Sequence, residues 1–461
     1  MKHTLTTALF ALAAALFTVA GAGRSLAADG VRWHADQKTL DVDLHEAPLI
    51  PTLEQLATQT GWHIYLEPTP GKTFTTKFTG LARGQAMRIL IGDMNYAFVP
   101  QADVTKLFIF RTSRDAATYE IKSKPKAELA APVVKKVPNQ LIVKLKPGVK
   151  IEDIARQLGA KVKARIGDLN AYLLEFDSDE AVESARNQLA SNGDVETTDY
   201  NYYVEAPPTP RKLDRAPVGP VQLALNPPPM DGRVIVGLVD TAVQNLPAEL
   251  QKFMMQQVSV AGEAGSSDQP THGTSMAETM LRALQTATGG KTTVQILPVD
   301  VYGPNPNATT FDVANGIVRA VNGGATVINL SLGSESASPF LHSIITDVAG
   351  KQIPVFGAAG NTPVTTPFYP AAYPEVIAVT AANAPGQLAN YANYGNFVDM
   401  IAPGNSVVYF NGQPWVVSGT SAASAYAAGL AAGVADSRGI STLNAASAVR
   451  NSLPFTAPAP K

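Results

Sequence analysis

Apolar and polar positions change rhythm several times along the chain. From residue 231 to about residue 455, short unbroken apolar runs alternate with stretches of helical spacing. Val234-Ile235-Val236-Gly237-Leu238-Val239 is one such run, Val327–Leu330 a second, and Val355-Phe356-Gly357-Ala358-Ala359 a third. Runs of this length without alternation fit strands buried on both faces, so the pattern predicts an α/β domain with a doubly wound, mostly parallel sheet. Met276, Met280, Leu281 and Leu284 recur at helical spacing behind His272, which puts that histidine at a helix N-terminus and outside the apolar stripe. The alanine-rich stretch after Ser421 predicts a tightly packed helix with the serine in its first turn.

Upstream, the rhythm is that of two small α+β modules. Residues 138–206 read strand–helix–strand–strand–helix–strand, over Gln140–Lys146, Ile151–Leu158, Lys161–Ile166, Ala171–Phe176, Asp179–Ala190 and Val195–Val204. Pro147-Gly148 and Gly167-Asp168 supply turns, and two helices on one face of a four-stranded sheet is the expected packing. Residues 29–116 predict strands at Thr39–Leu44, Trp62–Leu66, Thr73–Phe78, Tyr96–Pro100 and Leu107–Arg111. Helices fall between them over Ile50–Ala57, ending at Gly61, and over Gly84–Met94. Residues 117–137 carry Lys122, Lys124, Lys126, Lys135 and Lys136 with little periodicity and read as a solvated linker. Residues 207–230 are proline-rich and read as an exposed, cleavable tether, and residues 456–461 as a tail.

Composition narrows the function. At 461 residues the chain holds two to four domains, and 45% apolar with 16% charged residues is a globular balance. A net charge of −2 gives no pull towards nucleic acid or an anionic membrane. Cysteine is absent, which excludes a thiol nucleophile, thiolate metal sites and disulfides. His3, His34, His45, His63, His272 and His342 are scattered without metal-ligand spacing, so no metal or cofactor is expected. Residues 1–28 have the order of an export signal: Lys2 and His3, an apolar run from Ala8 to Ala20, then Ser25-Leu26-Ala27. That run is short for a membrane span of roughly 20 residues. No later stretch is long and apolar enough, so the mature protein is expected in the periplasm or the medium, without a membrane span.

Four polar residues stand where such a sheet puts chemistry. Asp240 ends an apolar strand, at the carboxyl edge where open α/β sheets bind ligands. His272 follows 32 residues later, room for a crossover. Asn361 closes the Gly-rich end of a third strand, and Ser421 follows Ser418-Gly419-Thr420. Each alone has a plainer role: a strand-end cap, a structural histidine, a turn amide, a helix cap.

Together "GLVDTA", "HGTSMA", "VINLSLGS", "FGAAGN" and "SGTSAA" resemble the signatures of the subtilisin (subtilase) family over roughly residues 231–435. The resemblance implies a subtilisin-like serine endopeptidase acting on proteins or peptides. In it Ser421 is the nucleophile, His272 the base and then the acid, and Asp240 the group that orients the imidazole. Asn361 and the Ser421 N–H would hold the oxyanion, and Ser331-Leu332-Gly333 would offer the edge on which an extended substrate adds a strand. Relatives often carry structural calcium, but no carboxylate cluster with ligand spacing stands out. Three departures are visible: Ala242 replaces a usual Gly, Ser275 a usual second His, and Ala425 a usual Pro.

"PNQLIVKLKPGVKIEDIARQLGAKV" with "VETTDYNYYVEA" is similar to the propeptide ahead of many subtilase domains, which implies an autoprocessed zymogen bound to its own propeptide. On that reading the chain cuts itself between about Val204 and Asn226, after its last propeptide strand lies beside Ser331–Gly333. "DLHEAPLIPTLEQLATQTG" and "GLARGQAMRILIGDMNYAFV" resemble the short N-terminal domain of secretins and TonB-dependent receptors, which implies an envelope partner for residues 29–116. Two other readings stay open at the level of sequence: a non-catalytic peptide-binding pseudoprotease, and a periplasmic signalling component.

Overall fold

A computed structural model of the chain describes residues 30–34, 38–67, 73–100, 105–121, 135–227 and 233–455, in two units divided between Pro132 and Val133. The export-signal reading of residues 1–28, the lysines 122, 124 and 126, and the tail 456–461 lie outside the described residues.

The first unit contains β1 (Gly30–His34), β2 (Thr39–Pro48), α1 (Leu49–Thr60), β3 (His63–Leu66), β4 (Thr73–Ala82), α2 (Arg83–Leu90), β5 (Asn95–Pro100), β6 (Thr105–Phe110) and β7 (Tyr119–Ile121). They form two sheets, β1-β2-β4 and β5-β6-β3-β7. Gly61 ends α1 in the left-handed conformation and returns its N–H to Ala57, a cap that favours glycine because no Cβ is strained there. Leu40, Leu53, Leu56, Ile64, Leu107 and Ile109 are fully buried in one core. The polar pattern of residues 117–137 predicts a linker, yet Tyr119–Ile121 pairs with β3; three residues are too few to show a periodicity.

The second unit begins with β8 (Lys136–Leu145), α3 (Ile151–Leu158), β9 (Lys161–Ile166), β10 (Ala171–Glu175), α4 (Asp179–Leu189) and β11 (Val195–Glu205). Strand order is β11-β8-β10-β9, with α3 and α4 covering one face around Leu141, Val143, Leu174 and Val182. Ser178 caps α4 by accepting the Ala181 N–H. The opposite face of this sheet presents Ile142, Ala171 and Leu173 to the larger body described next.

That body runs β12 (Arg211–Lys212), β13 (Ala224–Leu225), β14 (Ile235–Asp240), α5 (Ala248–Gln251), β15 (Val258–Ser259), α6 (His272–Thr288), β16 (Lys291–Thr292), β17 (Gln295–Asp300) and β18 (Asn307–Thr309). It continues α7 (Thr310–Asn322), β19 (Val327–Leu330), α8 (Pro339–Gly350), β20 (Val355–Ala358), β21 (Val376–Ala384), β22 (Gln387–Leu388), β23 (Met400–Pro403), β24 (Asn405–Phe410), β25 (Gln413–Ser418), α9 (Thr420–Arg438) and α10 (Thr442–Ser452). The main sheet has the order β15-β17-β14-β19-β20-β21, with β23 also on β21, and every pair is parallel except the short β22 at its edge. One face packs on α6 and α9 through Met276, Met280, Ala423 and Ala427, and the other on α7 and α8 through Phe311, Ile317, Phe340 and Ile345. The chain leaves β14 for β17 on one side and returns to β19 on the other, so the switch of direction lies at the carboxyl end of β14. Asp240 is that end.

Candidate active site

The buried start of α6 lies against the buried end of β14. Gly273 permits this: a Cβ there would sit 2.1 Å from the Thr241 carbonyl oxygen. Its N–H donates to Thr241 Oγ1 at 2.8 Å, while Thr271 caps the helix by accepting the Thr274 N–H at 3.1 Å. His272 is thereby held with Nδ1 2.8 Å and 3.0 Å from the two oxygens of Asp240, a carboxylate with no exposed surface. A carboxylate only accepts, so Nδ1 carries a proton and donates; in the neutral ring the lone pair is then on Nε2. Nε2 is buried and has no hydrogen-bond partner, an expense a folded chain rarely bears without use. Ala242 is not among the non-glycine residues with positive φ, so its departure from the usual glycine carries no backbone strain.

Ser421 lies in the first turn of α9, 4% exposed. Gly419 precedes the helix at φ 154°, and a Cβ on it would lie 3.2 Å from Asn361 Nδ2. Asn361 Oδ1 accepts the Thr420 N–H at 2.8 Å and the Thr420 hydroxyl at 3.1 Å, which fixes the amide against the helix start. Ser421 Oγ donates to the Ser331 carbonyl at 3.2 Å, and Ser331 Oγ donates back to the Ser421 carbonyl at 2.9 Å. In this structure the serine hydroxyl therefore makes its hydrogen bond to Ser331 and not to His272.

Beneath this contact lies a buried chain that the sequence reading missed. Asn329 Nδ2 donates to Ser331 Oγ, and Ser424 Oγ donates to Asn329 Oδ1, each at 2.8 Å. The available signal was Asn329 itself, one amide in the apolar run Val327-Ile328-Asn329-Leu330. Ser275 and Ala425, two of the departures, are buried in α6 and α9; the Ser275 hydroxyl is spent on the Thr271 carbonyl at 3.1 Å.

Ser331, Leu332 and Gly333 follow β19, and Gly333 borders a cavity of about 180 Å³ with Glu335, Thr362 and Phe368. Tyr203 and Glu205, at the end of β11, line its other side. The sequence reading lays this strand beside Ser331–Gly333. Its hydrogen-bonded partner in the structure is β18, antiparallel, with Tyr203, Val204 and Glu205 opposite Thr309, Ala308 and Asn307. The small module is anchored at two helix starts, which favour acceptors because their first N–H groups have no helical partner. Asp199 accepts from the Ser338 hydroxyl (2.6 Å) and the Phe340 N–H (3.1 Å) at α8. Asn201 Oδ1 accepts from the Thr310 hydroxyl and the Phe311 N–H at α7, both at 3.1 Å. Burial holds the Asp199 carboxyl above its ordinary range in spite of these donors.

Glu278, one face of α6 further on, is nearly inaccessible. It accepts the Tyr409 N–H at 2.7 Å and pairs with Arg282 at 3.3 Å. Burial outweighs both and pushes its carboxyl up to about 7. A raised carboxyl favours the fold while protonated, so this contribution is complete below the unfolded value of 4.5 and is lost as pH rises through about 7. The loss is on the order of 3 kcal/mol at one pKa unit per 1.36 kcal/mol. Glu278→Gln is expected to remove it. The melting temperature of the variant minus that of the parent should climb between pH 4.5 and 7 and then level off; a pH-independent difference would contradict the assignment. Among the described residues no group of three or more histidine or acidic side chains is placed to hold a metal ion.

The buried Asp240–His272 couple lies at the carboxyl end of β14 in a doubly wound α/β sheet, and the small α+β module packs against the starts of α7 and α8. Residues 231–453 match the model of the subtilase family, and residues 123–201 match that of the fervidolysin N-terminal prodomain. Thermitase of Thermoactinomyces vulgaris is 33% identical over 222 residues, 47% of this chain and 79% of that protein. The thermophilic serine proteinase of Bacillus sp. (strain AK1) is 36% identical over 203 residues, 43% of this chain and 51% of that protein, so the chain spans about half its length. The crystal structure of fervidolysin from Fervidobacterium pennivorans shares the fold, with a TM-score of 0.50 and 18% identity over 66% of this chain and 55% of that one. The chain belongs to the subtilase family of subtilisin-like serine proteases, and it carries a prodomain ahead of its protease domain.

Proposed function

We propose that the protein is an exported serine endopeptidase, made as a zymogen, that hydrolyses peptide bonds in unfolded proteins through Asp240, His272 and Ser421. The observation that carries this is the buried Asp240–His272 couple with its unpartnered Nε2. Asp240 fixes the tautomer and stabilises the imidazolium. Ser421 Oγ turns about its Cα–Cβ bond from the Ser331 carbonyl to Nε2, gives up its proton and attacks the scissile carbonyl. His272 then protonates the departing amine, and water, deprotonated by the same nitrogen, hydrolyses the acyl ester. Ser331-Leu332-Gly333 is the substrate edge in this reading.

The oxyanion donors are Asn361 Nδ2 and the Ser421 N–H, which has no partner inside α9. The contacts of Asn361 Oδ1 at Thr420 pre-set that amide, so it requires no reorganisation during the reaction. Asn361→Ala is expected to lower kcat about 10²–10³-fold with KM little changed, a magnitude taken from a subtilisin. A variant with raised KM and unchanged kcat makes Asn361 a turn residue only. Export rests on Lys2, the apolar run Ala8–Ala20 and Ser25-Leu26-Ala27, with the periplasm or the medium as destination. Among the described residues no helix is long and apolar enough to cross a membrane. Residues 29–116 are assigned to an envelope partner on their likeness to the secretin and TonB-receptor domain, and the docked prodomain is the chain's own first ligand.

A further inference from the structure

The cavity beside Gly333 adjoins the groups assigned to chemistry. Ser331, just ahead of it, exchanges hydroxyl-to-carbonyl bonds with Ser421, and Thr362 on the facing wall follows Asn361. Phe368 joins the two walls. A Cβ on Gly333 would lie 2.4 Å from Phe368 Cε1, and one on Gly360 would lie 3.2 Å from Phe368 Cγ. The lack of both side chains seats this half-buried ring between the substrate edge and the turn that leads to Asn361. The backbone alongside is clamped. Ser334 exchanges two hydrogen bonds with Tyr369, each at 2.8 Å, and its hydroxyl accepts the Ser336 N–H at 3.3 Å. Glu335 stands exposed at the tip of this turn.

The protease side of the cavity therefore offers the hydroxyls of Ser334, Ser336 and Thr362, one aromatic ring, and the charge of Glu335. Among the described residues no lysine, arginine or histidine lines that side. The cation at the cavity comes from the prodomain side. Lys135 lines it, with its carbonyl accepting the Tyr203 N–H at 2.9 Å and its ammonium donating to Glu205. The bond to Glu205, and at longer range the charge of Glu335, hold that ammonium above the ordinary lysine value. Lys135 and Glu205 offset each other, and both belong to the segment that a substrate has to displace. Without them Glu335 is the charge that remains, in a cleft whose low-dielectric walls concentrate its field.

We propose that this cavity is a specificity pocket for a basic side chain, selected by Glu335, so that the preferred substrates carry lysine or arginine close to the bond that is cut. The proposal rests on the endopeptidase reading above, with Ser331–Gly333 as the substrate edge. A peptide laid along that edge sends alternate side chains to the same side, and one of them enters beside Phe368. The stem of a lysine or arginine covers the ring while its head reaches the carboxylate and the hydroxyl oxygens, all of which can accept. Arginine gains further from the ring as a cation–π partner. A glutamate or aspartate in the same place meets a like charge and no cation, so the pocket rejects acidic chains as well as attracting basic ones.

The active enzyme obtained by expressing the full chain is assayed beside its Glu335→Gln and Glu335→Lys variants. The substrates are quenched fluorescent peptides that place Lys, Ala or Glu in turn at each of the last four positions before the scissile bond. At one position Lys is expected to exceed Ala about 10-fold in kcat/KM, the size of one charge-assisted contact, with Glu below Ala. In Glu335→Gln the Lys-to-Ala ratio there should fall to about one, and in Glu335→Lys the order of Lys and Glu should reverse, which damage to the fold cannot produce. The preference should also shrink as salt is raised to about 1 M, because Glu335 is exposed. A Lys-to-Ala ratio near one at every position in the parent overturns the inference, as does a preference that Glu335→Gln leaves intact. If no peptide of any composition is cut and no fluorophosphonate reaches Ser421, the endopeptidase reading falls and the inference with it, an outcome distinct from a protease that lacks this preference.

Discussion

Ser421→Ala is expected to fold like the parent and to cleave unfolded protein on the order of 10⁶-fold more slowly, a figure known from a subtilisin and not calculated from this geometry. The substitution removes the only atom that forms the covalent intermediate. It also removes the weak 3.2 Å bond to the Ser331 carbonyl, but leaves the 2.9 Å bond from Ser331 Oγ to the Ser421 carbonyl and the Asn329–Ser424 chain beneath it. Alanine suits a helix interior, so the melting temperature should move little. Turnover within tenfold of the parent would mean that another group performs the hydrolysis.

Asp240→Asn is expected to lower kcat about 10⁴-fold with KM nearly unchanged. The amide keeps the shape of the carboxylate but can present N–H to Nδ1, which selects the tautomer whose Nε2 carries the proton and cannot act as base. It also withdraws the negative charge that stabilises the imidazolium. Both oxygens of Asp240 approach Nδ1, at 2.8 and 3.0 Å, so neither end of the amide can avoid the ring. A loss confined to KM would show instead that Asp240 shapes the substrate site.

Much of this was legible in the chain. α3 and β9 fall on the residues their patterns predict, because sheet and helix periodicity agree with the turn residues on either side. The parallel sheet follows from apolar runs too dense for one-sided burial. The places of Asp240 at a strand end and His272 at a helix start follow from pattern; their pairing was implied by the subtilase resemblance, and the structure sets them 2.8 Å apart. What was not legible depends on contacts made at a distance. The partner of β11 is β18, three residues of Asn-Ala-Thr without apolar alternation, and nothing local marks it as a strand. Two-residue strands such as β12 and β13 exist only because β25 and β16 offer free edges. Asp199 and Asn201 cap helices more than a hundred positions away, a relation with no periodic trace. The Ala242 departure was ambiguous by sequence because its effect depends on a backbone angle, and that angle proves to be an ordinary one.

The most direct test of the central claim is to treat the mature protein, His272→Ala and Ser421→Ala with a fluorophosphonate and to map the modified peptide by mass. The account predicts one adduct on Ser421 in the parent, its loss in Ser421→Ala, and labelling slowed by several orders of magnitude in His272→Ala, where no base takes the serine proton. An adduct on any other residue, or equal labelling of Ser421 with and without His272, would contradict it.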